Sequence, residues 1–167
     1  MESIAFAELG LPVLFALFLW WFSTGLVLLL DGLPASATRW SLAIATLTAL
    51  GALAGVRWAS QQDTVFASYA AFVFAIVVWG WQELAFLTGW ITGPRRHGCD
   101  AGCGGLAHFA HAVGAILYHE LAVLGAGMAI AAASLGGVNQ TATWTFLVLW
   151  IMRISAKLNL FLGVRNT

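Results

Sequence analysis

The residues with most chemical capacity are two carboxylates and three imidazoles set within long apolar stretches: Glu83, Glu120, His108, His111 and His119. A carboxylate at the centre of a membrane helix costs roughly 2.5 to 3.5 kcal/mol on insertion scales, so Glu83 and Glu120 must either be neutral or turn inward to a cation, a histidine or a bound ligand. At about 100° per residue, His108, His111 and His119 fall within about 80° of one another and share one helix face, whereas Glu120 points elsewhere. The rise from His111 to His119 is about 12 Å, too long for both to ligate one ion from an unbroken helix. Antiparallel packing about Gly93-Pro94 places Glu83 at broadly the depth of His111. A Glu and a His from adjacent helices form half of a carboxylate and histidine metal site. A neutral imidazole facing an apolar, aromatic-lined space is also competent as an axial ligand to the magnesium of a chlorin, which makes His111 and His119 candidate pigment ligands. A histidine bonded to Glu83 or to a backbone carbonyl explains the same residues with fewer assumptions.

A second cluster lies in the loop His97-Gly98-Cys99-Asp100-Ala101-Gly102-Cys103. Its C-x3-C spacing departs from the C-x2-C of structural zinc sites, but His97 and His108 flank it, so Cys99, Cys103, His97 and His108 are the candidate metal ligands, for zinc or iron. A cytoplasmic loop is kept reduced, which argues against a lasting disulfide. No P-loop, GxGxxG, GxSxG or HExxH pattern is present, so nucleotide binding, serine hydrolysis and zincin chemistry have no motif to rest on.

The elements that must position these residues are membrane helices. Of 167 residues, 61% are hydrophobic and 8% charged; soluble domains carry about 25% charged residues. Net charge is zero and the basic residues are dispersed, which excludes the electrostatic stripe that nucleic acid requires. The expected fold is an all-α membrane protein, a bundle of about five transmembrane helices forming a single domain over 1–167. Its spans are expected at approximately 11–30, 40–58, 65–91, 105–135 and 142–162, punctuated by Asp31-Gly32, Pro34, Gly93-Pro94 and Gly136-Gly137. The first apolar segment lacks a basic leader and a cleavage pattern and reads as a retained span. Arg153 and Lys157 fall one helical turn apart on one face of the last span, in a half expected near an interface. Within the second span, Gly51 to Gly55 is a candidate close-packing face.

Orientation follows from the basic residues of the connections. Arg39, Arg95, Arg96, Arg153, Lys157 and Arg165 collect on one side and Arg57 alone on the other, so the N-terminus is expected to be periplasmic and the C-terminus cytoplasmic.

Several stretches together resemble one family: Trp20-Trp21-Phe22-Ser23-Thr24-Gly25 leading to Leu30-Asp31-Gly32-Leu33-Pro34, and Trp79-Gly80-Trp81-Gln82-Glu83 with Phe86-Leu87-Thr88-Gly89. Thr92-Gly93-Pro94-Arg95, Tyr118-His119-Glu120-Leu121 and the long closing stretch from Trp150 to Val164 continue the match. The chain is similar to the PuhE family of photosynthetic complex assembly proteins of purple phototrophic bacteria. Members of that family are longer, with further membrane segments beyond the equivalent of Asn166.

The resemblance implies a multi-pass protein of the bacterial inner, photosynthetic intracytoplasmic membrane, acting in assembly or bacteriochlorophyll supply beside the reaction-centre and light-harvesting polypeptides. The favoured reading is a non-enzymatic assembly factor or accessory subunit, with bacteriochlorophyll as the candidate cofactor at His111, His119, Glu83 and Glu120. The alternative is a membrane metalloenzyme acting on a pigment, lipid or quinone, with the same four residues as ligands or proton carriers. A small transporter is a third reading, with Glu83 and the Arg153–Lys157 pair as a proton-coupled site, although broken helices and paired repeats are not apparent.

Overall fold

A computed structural model describes residues 6–98 and 105–161. After a short π-helical turn, Phe6–Gly10, five helices follow: α1, Leu11–Asp31; α2, Ala35–Ser60; α3, Val65–Leu87; α4, Gly105–Ser134; and α5, Thr141–Phe161. Among the described residues there is no strand. Stretches of 24, 26, 23 and 30 residues covering α1 to α4 are long and apolar enough to cross a membrane. The fifth, α5, carries Arg153 and Lys157 in its second half.

Helix α3 is the hub, packing against all four others. The hydrophobic effect does not drive helices together inside lipid, so close approach of small side chains and interhelical hydrogen bonds must. The sequence supplies both. Ala67, Ala71 and Ala75 recur at every fourth position of α3 and are fully covered, facing Ala52, Val56 and Ala59 of α2. The Phe74 ring lies over Gly55, so the Gly51 to Gly55 stretch does contribute to this seam, through its Ala52 and Gly55 side. The Trp81 indole donates to Thr46 Oγ1 at 2.8 Å across the same interface. On the opposite flank Trp79 meets Phe146 of α5 edge to face, with ring centroids 5.4 Å apart.

One end of the bundle is tied by polar backbone. The α2–α3 and α4–α5 connections meet where Asn139 N–H donates to the Ser60 carbonyl at 3.0 Å and Arg57 reaches the Leu135 carbonyl at 3.3 Å. Thr64 caps α3 by accepting from Ala67 N–H at 3.2 Å.

The other end departs from the expected third span, which the sequence pattern carries as far as Ile91. Helix α3 stops at Leu87 because Gly89 takes φ +74°, a left-handed conformation that glycine adopts without strain, and Trp90 and Ile91 both donate back to the Ala85 carbonyl. The chain then lies along the middle of α4. Arg95 N–H donates to the Gly114 carbonyl at 3.2 Å, and the Thr92 carbonyl accepts from His119 N–H at 2.8 Å. A Cβ on Gly93 would sit 2.2 Å from the Gly114 carbonyl oxygen, so only glycine permits this approach. As a result the first turns of α4, from Gly105 to about Ala110, extend beyond the bundle with every residue exposed.

Candidate functional site

Glu83, Glu120, His119, Arg153 and Lys157 converge on one layer built by α3, α4 and α5. On α5, the 3.6-residue period sets Arg153 and Lys157 on one face. Arg153 forms an ion pair with Glu83 of α3, and Lys157 forms an ion pair with Glu120 of α4. The four side chains are largely shielded: Arg153 is 17% and Glu83 20% exposed, Lys157 24% and Glu120 30%. Both cations also lie over the Phe86 ring, at 5.2 Å for the guanidinium and 5.8 Å for the ammonium. A single aromatic on α3 is thus bracketed by the two cations of α5. The cost of placing four charges in an apolar bundle is offset by pairing each with its opposite.

Behind this clasp lies His119, fully buried, its imidazole 4.5 Å from the Phe86 ring centroid and tilted by 41°. Gln82, one turn before Phe86 and also buried, donates from Nε2 to the Ala122 carbonyl at 3.0 Å. Neither His119 ring nitrogen has a hydrogen-bond partner among the described residues, and the same holds for Gln82 Oε1, Trp150 Nε1 and Arg153 Nε. Buried polar atoms left without partners are uncommon in native proteins and mark places where water or a ligand belongs.

The expected residues are therefore distributed as follows. Glu83, Glu120 and His119 come together in one layer. Glu83 does not meet His111. Because residues 88–98 fold along α4 instead of turning at its start, α3 is displaced along α4, so that Gln82 faces Ala122 and Phe86 faces His119. His108, His111 and His119 share a helix face but not an environment: exposed, half-buried and buried in that order, as α4 enters the bundle. His97 is exposed on the connecting segment, and Cys99 and Cys103 lie outside the described residues. Among the described residues no three His, Cys, Asp or Glu side chains are grouped so as to hold a metal ion.

Sequence reasoning placed Arg153 and Lys157 on one face and grouped them with Glu83 as a candidate proton-coupled site, but did not pair Lys157 with Glu120. The available signal was stoichiometric, since Glu83 and Glu120 lie well inside the apolar spans with two cations one turn apart, Arg153 and Lys157, while Arg57 stands at a span end. Phe86, Gln82 and Trp150 carried no such mark.

The family described as protein of unknown function (DUF3623) matches residues 6–167. A Rhodobacter capsulatus protein, described as an uncharacterized 30.4 kDa protein in the puhA 5′ region, is 37% identical over 158 residues, or 92% of this chain. The chain spans 58% of that relative's length. No solved structure matches.

Proposed function

The chain belongs to the DUF3623 family, and from that premise we propose that it is an integral membrane assembly factor or accessory subunit of the bacterial photosynthetic reaction centre and its light-harvesting antenna. The observation that carries this reading is the 37% identity to a protein located in the puhA 5′ region, which agrees with the PuhE-like motifs from Trp20 to Pro34 and from Trp150 to Val164. The architecture supports it. Helix α1 has no buried residue and presents Leu17, Trp21 and Leu29 outward, a surface suited to lipid and to neighbouring membrane helices.

In this reading α5 is the fifth span of a single domain, its two cations neutralised by the clasp, and the N-terminus is periplasmic. Bacteriochlorophyll contact falls to His111, half-buried where α4 emerges from the bundle. His119 is fully buried against the Phe86 ring, which leaves no room beside it for a macrocycle.

The test is purification of the tagged chain from phototrophically grown cells in mild detergent. Reaction-centre and antenna polypeptides should accompany it, and deletion of its gene should lower near-infrared antenna absorption. Recovery of the chain alone, with antenna absorption unchanged on deletion, would refute the proposal.

One observation favours the alternative of a membrane enzyme acting on a pigment, lipid or quinone: His119, with unpartnered nitrogens, stands in the same layer as two carboxylates. Stoichiometric iron without pigment in the purified protein, retained in Cys99→Ser and Cys103→Ser, would support that reading, whereas zinc or iron lost in those two variants would assign the metal to a loop site at Cys99, Cys103, His97 and His108.

A further inference from the structure

Helices α1 and α2 are joined by Gly32, Leu33 and Pro34, and both are long and apolar enough to cross a membrane. In a bilayer their connection therefore lies at the headgroup level. Trp40 and Trp90, 73% and 62% exposed at this end of the bundle, mark the same level, because indole rings settle where hydrocarbon gives way to water. A depression opens there between the α1–α2 turn and the end of α3, and it gathers Asp31, Arg39 and Trp90 together with Leu42 and Leu87.

The two charges of this depression are unspent. The ion pairs among the described residues join Arg153 to Glu83 and Lys157 to Glu120, so Asp31 and Arg39 take part in neither and do not pair with each other. The threonines of the same wall are already engaged: Thr38 donates to the Leu33 and Pro34 carbonyls, and Thr88 donates to the Leu84 carbonyl at 2.7 Å. Asp31 is half-buried and is the last residue of α1, where the helix dipole already places partial negative charge, so its carboxylate calls for a cation that the fold does not supply. The exposed Arg39 guanidinium calls in turn for an anion.

These demands discriminate between headgroups. An anionic headgroup would satisfy Arg39 and be repelled by Asp31. A phosphocholine would satisfy Arg39, but its quaternary ammonium has no N–H to give a carboxylate and is held in cages of several aromatic rings, whereas among the described residues Trp90 alone brings a ring to this wall. A phosphoethanolamine carries both complements, a phosphate for Arg39 and a primary ammonium whose N–H groups can donate charge-assisted bonds to Asp31. We propose that this depression binds phosphatidylethanolamine, its phosphate on Arg39 and its ammonium on Asp31, with the acyl chains descending beside Leu42 and Leu87. The class of occupant follows from position, since a recess at the headgroup level faces phospholipid, and the headgroup follows from two unpaired charges of opposite sign. The inference rests on the membrane-spanning helices and is independent of the photosynthetic role.

The test is native mass spectrometry of the detergent-purified protein titrated with phosphatidylethanolamine, phosphatidylglycerol and phosphatidylcholine of the same acyl chains. Phosphatidylethanolamine should bind at least fivefold more tightly than either of the others, and Arg39→Gln should weaken it at least fivefold. Asp31→Asn should remove the preference over phosphatidylglycerol, because repulsion of a net negative headgroup goes with the carboxylate; a merely structural role for Asp31 would not change that ratio. Both variants should melt as the native protein does, since neither side chain is paired within the fold. Equal affinity of the native protein for the three lipids, or a preference for phosphatidylethanolamine that survives Asp31→Asn, would overturn the proposal. So would a photo-crosslinker at Ala43, an exposed residue of the same wall, that captures a polypeptide in native membranes.

Discussion

Arg153 and Lys157, one turn apart on α5, lie over the same Phe86 ring while each pairs with a carboxylate from a different helix, Glu83 on α3 and Glu120 on α4. The arrangement makes α5 a polar strap across the two helices that carry the acids. It also explains how a helix with two cations in its second half can belong to an apolar bundle. Neither cation needs to reach water, because each finds its counter-charge inside.

Removing one member of such a pair should be worse than removing both. Glu83→Ala leaves Arg153 uncompensated among apolar neighbours and should cost about 2 to 3 kcal/mol, between the values typical of surface pairs and of buried ones. The Glu83→Gln, Arg153→Met double variant should recover to within about 1 kcal/mol of the native protein. Glu120→Ala should cost less than Glu83→Ala, because the Glu120–Lys157 pair is the more exposed of the two. Thermal melts of the single and double variants in one detergent check this order, and additive effects at Glu83 and Arg153 would contradict it.

Gly93→Ala should detach the connecting segment from α4. With a Cβ the residue would overlap the Gly114 carbonyl and the Ala115 backbone, neither of which can step aside as a flexible side chain would. The hydrogen bonds from Arg95 to Gly114 and from His119 to Thr92 should be lost together. Amide exchange at Arg95 should accelerate by at least tenfold, with that of the α2–α3 seam unchanged. Native protection at Arg95 in Gly93→Ala would show that the close approach is not obligatory.

Much of the helical layout was readable because glycine, proline and aspartate punctuate apolar runs: the expected 11–30 and 105–135 lie within a residue of Leu11–Asp31 and Gly105–Ser134. The register between α3 and α4 was not readable. Counting outward from Gly93-Pro94 assumes that the turn sits at the ends of both helices, whereas the chain from Trp90 to Arg95 is laid against the middle of α4 by backbone hydrogen bonds that no side chain advertises. The Ala67, Ala71, Ala75 seam was overlooked for a related reason. Alanines in a span look like ordinary apolar filler until the neighbouring helix is seen to press against them.

His119→Leu tests whether the buried imidazole is satisfied by something other than protein. An imidazole with both nitrogens unpartnered costs about 1 to 3 kcal/mol relative to an apolar group of similar volume, so an empty site should make His119→Leu as stable as the native protein or about 1 kcal/mol more stable. A loss above about 2 kcal/mol would instead reveal an ordered water or ligand bonded to His119. Differential scanning calorimetry of the detergent-purified proteins separates the two results.

Topology gives the last prediction. Arg153 and Lys157 are consumed by ion pairs within the bundle, so they no longer count toward the basic excess that orients the chain. What remains on that side is Arg39, Arg95 and Arg96, together with Arg165, against Arg57, whose side chain is itself engaged by the Leu135 carbonyl. The bias is smaller but keeps its sign, so the α3–α4 connection should face the cytoplasm and the α2–α3 and α4–α5 connections the periplasm. The backbone bond from Asn139 N–H to the Ser60 carbonyl, with that from Arg57 to the Leu135 carbonyl, requires those two connections to share a side, whichever it is. Single cysteines at Gln62 and Val138, in a Cys99→Ser, Cys103→Ser background, should therefore react with an impermeant maleimide on intact spheroplasts, and a cysteine at Arg96 should not. Labelling at Arg96 alone would invert the orientation while leaving the bundle intact. Labelling at only one of Gln62 and Val138 would contradict the fold.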